Sequence, residues 1–493
     1  MKQLKTPSPG LSRRQFLGRT ATAVAAFSVV PRHVFGGPKF VAPSEKVNIA
    51  IIGCGGQGRT NTRTLFNEPE AQIIAVADPI ESENLDAFYY KGNGGRLPTK
   101  AEIEKHYSEK TPNYKVADYE DFRVMLEKEK GIDAVIIGTP DHTHAVVASA
   151  AIKAGKHVYC AKPMTRTVYE ARQVAKAARE AKVATQMSTQ SIASETACAV
   201  EELIQSGAVG PVRDVHVWTD RPVWPQGMRR PPETPRVPSH LAWDLWIGPS
   251  PMRPYNPLYH PFNFRGWYDF GTGALGDMAL HTFHIVFRAL KLTYPTHVSS
   301  STTLVCELAP PGQADPGWKT RRVKFPESFP HSEIITWDFP ARGDSPPVRL
   351  HWYDGGLKPP RPVDMDFDQS LPPEGSYYAG DKGTLLILGA EGGHSDKDRF
   401  LLPADKFIDF TPPPKTVKRT IGHYQEWIAA AKGGPPANCN FDFASLIAET
   451  ALIGVISARA GKHLAWDAEN MRFTSDAEAT QLVTPEYRTG WAL

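Results

Sequence analysis

Val47-Asn-Ile-Ala-Ile-Ile-Gly53-Cys-Gly55-Gly-Gln-Gly58 is an apolar run ending in G-x-G-x-x-G, the pattern of a buried strand that turns tightly into a helix. In such a turn the first glycine makes the bend, the second lets phosphates approach the backbone, and the third lets the helix pack against the strand. The helix start then aims unpaired N–H groups and its positive end at an anion. Gly53, Gly55, Gly56, Gln57 and Gly58, with Arg59 beside them, are therefore expected around a dinucleotide pyrophosphate. Twenty residues past Gly58 a second apolar run, Gln72 to Ala77, ends in Asp78, where an acceptor for ribose hydroxyls belongs.

Working outward, residues 47 to 186 alternate apolar runs with helical patterns. Strands are predicted near 47–52, 72–77, 133–137 and 157–159, and helices near 58–67, 118–128, 142–154 and 167–181. That alternation implies an α/β fold, with a doubly wound parallel sheet in a Rossmann domain over 45–188. The segment 89–113 is longer than its connection requires and is expected near the adenosine end. Beyond Gln190 the period changes to two, in 212–218, 334–339 and 348–353. Residues 189–493 are therefore expected to form an α+β domain with a large, mostly antiparallel open sheet. Helices near 194–206, 274–290 and 442–459 should cover one face, and Pro-rich stretches at 222–238, 309–317, 357–373 and 411–415 should be surface loops.

The first 36 residues read differently. Ser12-Arg-Arg-Gln-Phe-Leu17 precedes an Ala/Val-rich stretch to Val30, the layout of a twin-arginine export signal. The implied route is export of the folded protein to the periplasm by the twin-arginine machinery, with no stable membrane span afterwards. Residues 1–36 carry six Lys/Arg and no acid, so their removal takes the formal net charge from +3 to −3 and leaves no basic face for nucleic acid. The five cysteines include no C-x-x-C pair, which excludes a zinc ribbon and leaves buried thiols as the expectation.

Three further segments carry chemistry. Ile136-Ile-Gly-Thr139-Pro140-Asp-His-Thr-His144 and Val158-Tyr-Cys-Ala161-Lys162-Pro163 each end a predicted strand at the carboxyl edge of the sheet, where ligands bind. Gly276-Asp277-Met-Ala-Leu-His281-Thr-Phe-His284 follows a glycine-rich loop into a helix, so Asp277 and His281 share a face and His284 lies close to it. Removing hydride from a carbinol requires a base for the hydroxyl proton, and histidine suits neutral pH. From spacing alone, a helix-capping Asp277 with packed histidines fits equally well. The same spacing would also suit a two-His-one-carboxylate metal triad. Because a dinucleotide already supplies redox chemistry, no metal is expected.

Together, in this order, these residues resemble the Gfo/Idh/MocA family of glucose-fructose oxidoreductase and inositol dehydrogenase, over about 45–465. The resemblance implies oxidation of a sugar or cyclitol hydroxyl by a nicotinamide cofactor, in a homo-oligomer (dimer or tetramer) assembled through the open sheet. It makes Lys162, Asp277 and His281 the catalytic group, and places Thr139, Pro140, His144 and Lys162 at the cofactor. Asp78 followed by Pro79 favours NAD over NADP. Export implies that the cofactor is held tightly. Two departures stand out: Ala161 replaces the family's Glu before Lys-Pro, and His284 replaces a later acid, so substrate contacts should differ. Arg265 and Trp267 are expected over the substrate or nicotinamide. The second reading is a redox-neutral NAD-dependent glycoside hydrolase or lyase acting through a transient keto-sugar.

Overall fold

A computed structural model describes residues 45–493 except 390, 391 and 394. The twin-arginine stretch lies outside the described residues. Six strands, β1 (Val47–Ile52), β2 (Ala71–Ala77), β3 (Ala117–Tyr119), β4 (Ala134–Ile137), β5 (His157–Ala161) and β6 (Thr185–Ser188), form one parallel sheet. Their spatial order is β3-β2-β1-β4-β5-β6. The order reverses between β1 and β4, which opens a crevice at the carboxyl edge beside Gly53. From Ile49 onward β1 is apolar because both of its faces are covered: Ile49 and Ile51 enter one core, Ala50 and Ile52 the other.

The crossover helices are α1 (Gly56–Leu65), α2 (Arg96–Ser108), α3 (Phe122–Lys128), α4 (Asp141–Lys153) and α5 (Val168–Ala181); α1, α4 and α5 sit close to their expected places, and α2 was not expected. Two expectations are corrected. Residues 117–119 pair with β2 as a strand, and the helix predicted from 118 starts only after Asp121, whose side chain accepts from the Arg123 N–H. The segment 89–113, expected as an excursion, supplies the Asn93–Gly94 strand that pairs with Glu83–Asn84, and then α2.

The second sheet has nine strands: β7 (Val212–Trp218), β8 (His297–Thr302), β9 (Glu333–Phe339), β10 (Val348–Tyr353), β11 (Gly375–Gly380), β12 (Gly383–Leu388), β13 (Arg399–Leu402), β14 (Leu464–Asp467) and β15 (Arg472–Phe473). They are ordered β13-β12-β11-β7-β10-β9-β8-β14-β15, and every neighbouring pair is antiparallel except β7 with β10. α6 (Glu195–Gln205), α7 (Leu280–Leu290) and α9 (Phe441–Ala460) lie on one side of this sheet. Phe283 of α7 meets Trp337 and Trp352 edge-on. α9 is long and apolar enough to cross a membrane by length and composition, yet most of it is buried within the protein.

The chain then returns to the first sheet. Between the last sheet segments, α8 (His423–Ala431) places Tyr424, Trp427 and Ile428 in the same core as Val47, Ile49 and Tyr159, with the Tyr424 ring stacked on Tyr159 at 4.9 Å. Among the described residues all five cysteines are unpaired. Cys54, Cys160, Cys198 and Cys439 are buried as expected, but Cys306 is exposed because it sits in a two-stranded hairpin outside the main sheets.

Candidate active site

At Gly53 the backbone has φ +89°, and a β-carbon there would stand 2.6 Å from the Gly138 carbonyl carbon, so only glycine closes this turn. Gly58 lies still closer, with a β-carbon falling 1.8 Å from the Gly53 oxygen. α1 begins at Gly56 with no side-chain cap, and a β-carbon on Gly55 would meet nothing within 4 Å. An uncapped helix start with free space beside Gly55 suits an anion. Asp78 follows β2, buried; its carboxylate accepts from the Cys54 N–H at 2.5 Å and the Ile80 N–H at 2.8 Å. Burial outweighs these bonds and pushes the carboxyl up to about 6.

This loop and the later chemistry open onto one cavity of about 500 Å³ between the two domains. From the first domain it is lined by Gly53, Gly55, Gly56, Gln57, Asp78, Thr139, Pro140 and Lys162, and from the second by Arg265, Asp277 and His281. Lys162 Nζ donates to Asp277 Oδ1 at 2.8 Å and to the Asp277 carbonyl at 2.5 Å. Arg265 Nε donates to the same Oδ1 at 3.0 Å. Asp277 rides on a turn of π-helix, Leu275–Ala279, immediately before α7, so the predicted helix starts with wider bonding at the end that faces the cavity. Burial alone would raise the Asp277 carboxyl, but Lys162 and Arg265 together hold it below the usual carboxylate range. Burial, then Lys162, lowers the His281 imidazole to about 3, with Asp277 opposing. A neutral imidazole thus lines the same cavity as a carboxylate-held ammonium.

Five expected ligands lie elsewhere. Gly58 serves the helix–strand contact. Arg59 Nη1 donates to the Lys91 carbonyl at 2.8 Å, clamping the 89–95 segment rather than meeting a phosphate. The His144 ring nitrogens face the carbonyls of Pro163 at 2.6 Å and Thr139 at 2.8 Å, so it ties together the two turns that carry Thr139 and Lys162. Trp267 is fully buried and donates to the Leu258 carbonyl at 2.7 Å, which makes it a core residue. His284 is fully buried with Nε2 2.8 Å from the Ser191 hydroxyl, away from the cavity. A metal triad of Asp277, His281 and His284 therefore does not assemble, because Asp277 is taken by two cations and His284 points into the core.

Three cavity residues had no periodic signal to reveal them. Tyr90, from the 89–113 segment, lays its ring on Gly56, where a β-carbon would stand 2.0 Å from Tyr90 Cδ2. An aromatic run, Phe88-Tyr89-Tyr90, beside glycines was its only mark. Arg221, just past β7, and Gln190, just past β6, complete the polar lining.

Two domain models match this chain: the oxidoreductase-family NAD-binding Rossmann fold of Gfo/Idh/MocA over residues 47–189, and that family's C-terminal alpha/beta domain over 200–300. The chain belongs to the Gfo/Idh/MocA family. Within the family it is similar to Inositol 2-dehydrogenase 1 of Saccharopolyspora erythraea, 31% identical over 139 residues, which are 27% of this chain and 35% of that protein. It is also similar to a glycosyl hydrolase family 109 protein of Stenotrophomonas maltophilia, 34% identical over 152 residues, covering 30% of this chain and 29% of that one. The chain spans at most about half of the length of the curated relatives it matches. The fold is shared with the WlbA dehydrogenase from Bordetella pertussis, solved with NADH and UDP-GlcNAcA, at TM-score 0.53 and 17% identity over 86% of this chain and 99% of that one.

Proposed function

We propose that this protein transfers a hydride between a sugar or cyclitol hydroxyl and NAD. The observation that carries the reading is that the glycine loop, the Lys162 ammonium and the His281 imidazole, drawn from two domains, line one cavity. The bare α1 start suits the pyrophosphate, and the remaining lone pairs of Asp78 suit the ribose hydroxyls. When bound, the nicotinamide supplies a hydride acceptor. Lys162, fixed by Asp277, donates to the reacting oxygen, and His281, kept neutral, takes the hydroxyl proton. Asp277 then stabilises the imidazolium. Arg265 prevents Asp277 from turning away.

NAD is favoured over NADP because a 2′-phosphate would face the Asp78 carboxylate. The nearby Arg96 is shared between Glu81 and Asp118, each at 3.9 Å. A carbohydrate fits the mixed lining of aromatic faces, Phe88, Trp224 and Phe262, with the polar groups of Gln190 and Arg221. The twin-arginine stretch supports a periplasmic protein that keeps its cofactor tightly bound, and the open sheet supports a homo-oligomer. Likeness to a glycosyl hydrolase family 109 protein favours a second reading, in which a transient ketone permits elimination of a glycosidic group and the cofactor ends as it began.

The test is to denature the purified protein, identify any released nicotinamide, and screen sugars for reduction of the cofactor in the intact protein. A protein that carries no nicotinamide and turns over only with millimolar added NAD refutes tight retention. Release of an aglycone without net NADH selects the second reading.

A further inference from the structure

The outward side of the nine-stranded sheet carries a cluster separate from the cavity. β7 and β10 run parallel with His216 opposite His351 and Asp214 opposite Arg349. Asp214 and His216 are two apart and so share a face. Val215, Val217, Leu350 and Trp352 alternate with these residues and enter the core beneath.

The two imidazoles lie stacked, 4.4 Å between centroids. His351 Nε2 is 3.4 Å from Asp214 Oδ1, and one ligand atom from each of the three residues lies within 4.8 Å of the others. The opposite ring nitrogens are already engaged. His216 Nδ1 is 3.0 Å from the Tyr353 hydroxyl, and His351 Nδ1 is 3.0 Å from that of Thr336. Among the described residues His216 Nε2 has no hydrogen-bond partner. Outer contacts on Nδ1 that orient Nε2 are what histidine ligands of a metal require.

We propose that Asp214, His216 and His351 form a site for one divalent cation of the zinc class, joining strands β7 and β10 on the outer face and leaving a fourth position for a further ligand. A tetrahedral ion with metal–nitrogen distances near 2 Å holds its ligand atoms about 3.3 Å apart. Closing the 4.8 Å span therefore takes shifts of about 1.5 Å together with a turn of one imidazole out of the 12° stack, so that the ion lies in the plane of both rings, on strands whose register already sets the ligands side by side. Two imidazoles and a single carboxylate select zinc, cobalt or nickel over magnesium or calcium, which take oxygen ligands.

The full chain, stripped with a chelator and dialysed, is titrated with zinc chloride against a chromophoric competitor. The expected result is one zinc per chain, with affinity falling by more than about 100-fold in His216→Ala and in His351→Ala and by about tenfold in Asp214→Asn. His297→Ala/His463→Ala removes another stacked histidine pair, 5.4 Å between centroids, and should change nothing. Binding that survives His351→Ala, sub-stoichiometric binding, or no binding at all overturns the proposal. The unmodified protein loaded with cobalt gives a readout that does not depend on the variants folding. Ligand-field bands without a thiolate charge-transfer band support the site, and a thiolate band refutes it.

Discussion

Asp277→Asn tests whether the carboxylate that lines the cavity holds the two domains' cations in place. The Lys162 ammonium lies 2.8 Å from Asp277 Oδ1, and the Arg265 guanidinium reaches the same atom at 3.0 Å. At an effective dielectric of about 20, each contact represents roughly 6 kcal/mol of gross attraction, largely offset by the desolvation of buried charge. Removing the carboxylate leaves two cations facing each other, for which the expected destabilisation is about 3–5 kcal/mol. With roughly 450 described residues, each kcal/mol lowers the melting temperature by about 1 °C. Thermal unfolding of Asp277→Asn should therefore come about 3–5 °C early, with kcat/KM falling sharply. A double-mutant cycle with Lys162→Met isolates the contact: the double variant should be more stable than the sum of the singles by about 1–3 kcal/mol. Additive losses, or an Asp277→Asn protein as stable as the parent, would refute this account of the site. Because the folded carboxyl sits below its usual range, its contribution is complete above about pH 4 and is lost as pH falls through the folded value.

The two inner glycines should fail differently. Gly55→Ala meets no atom, so it should fold normally and lose dinucleotide affinity, whereas Gly58→Ala strikes the Gly53 carbonyl and should lose the fold of the loop itself, seen as a lower melting temperature. Asp78, raised by burial to about 6, makes cofactor affinity rise with pH across that value as the acceptor ionises. In the cofactor-free protein the sign reverses. The folded state binds the proton between the ordinary and raised values, so stability falls by about 3 kcal/mol from pH 4 to 6, and Asp78→Asn should flatten both curves in binding and melting titrations. His284→Ala should lower the melting temperature while leaving KM unchanged, and His281→Ala should abolish turnover with cofactor binding intact; a KM change in the first would return His284 to the substrate.

The glycine loop was legible because its chemistry is set by backbone: residues 53–58 must be nearly side-chain-free to make the turn, whatever surrounds them. Lys162, Asp277 and His281 were singled out by the family resemblance, since spacing alone fitted a helix-capping Asp277 equally well, and only the fold shows that Asp277 meets Lys162 across the domains. Helical spacing told which residues share a side with Asp277 but not which side faces the cavity, so His284 was misplaced. Trp267 and His144 failed for a related reason: an aromatic or imidazole next to a site is as useful for buttressing it as for touching a ligand. Tyr90 and Arg221 stand on irregular backbone, where no period exists to read. β3 was hidden by its brevity, since three residues cannot establish an alternation.

The return of α8 to the first sheet means that the chain cannot be divided by a single cut. A fragment stopping near residue 188 would bare the apolar surface that Tyr424, Trp427 and Ile428 cover, including the otherwise fully buried Tyr159. Anyone wishing to express a soluble nucleotide-binding half would have to graft those nine residues back through a linker, and ribosomal synthesis must nearly finish before that half can be sealed.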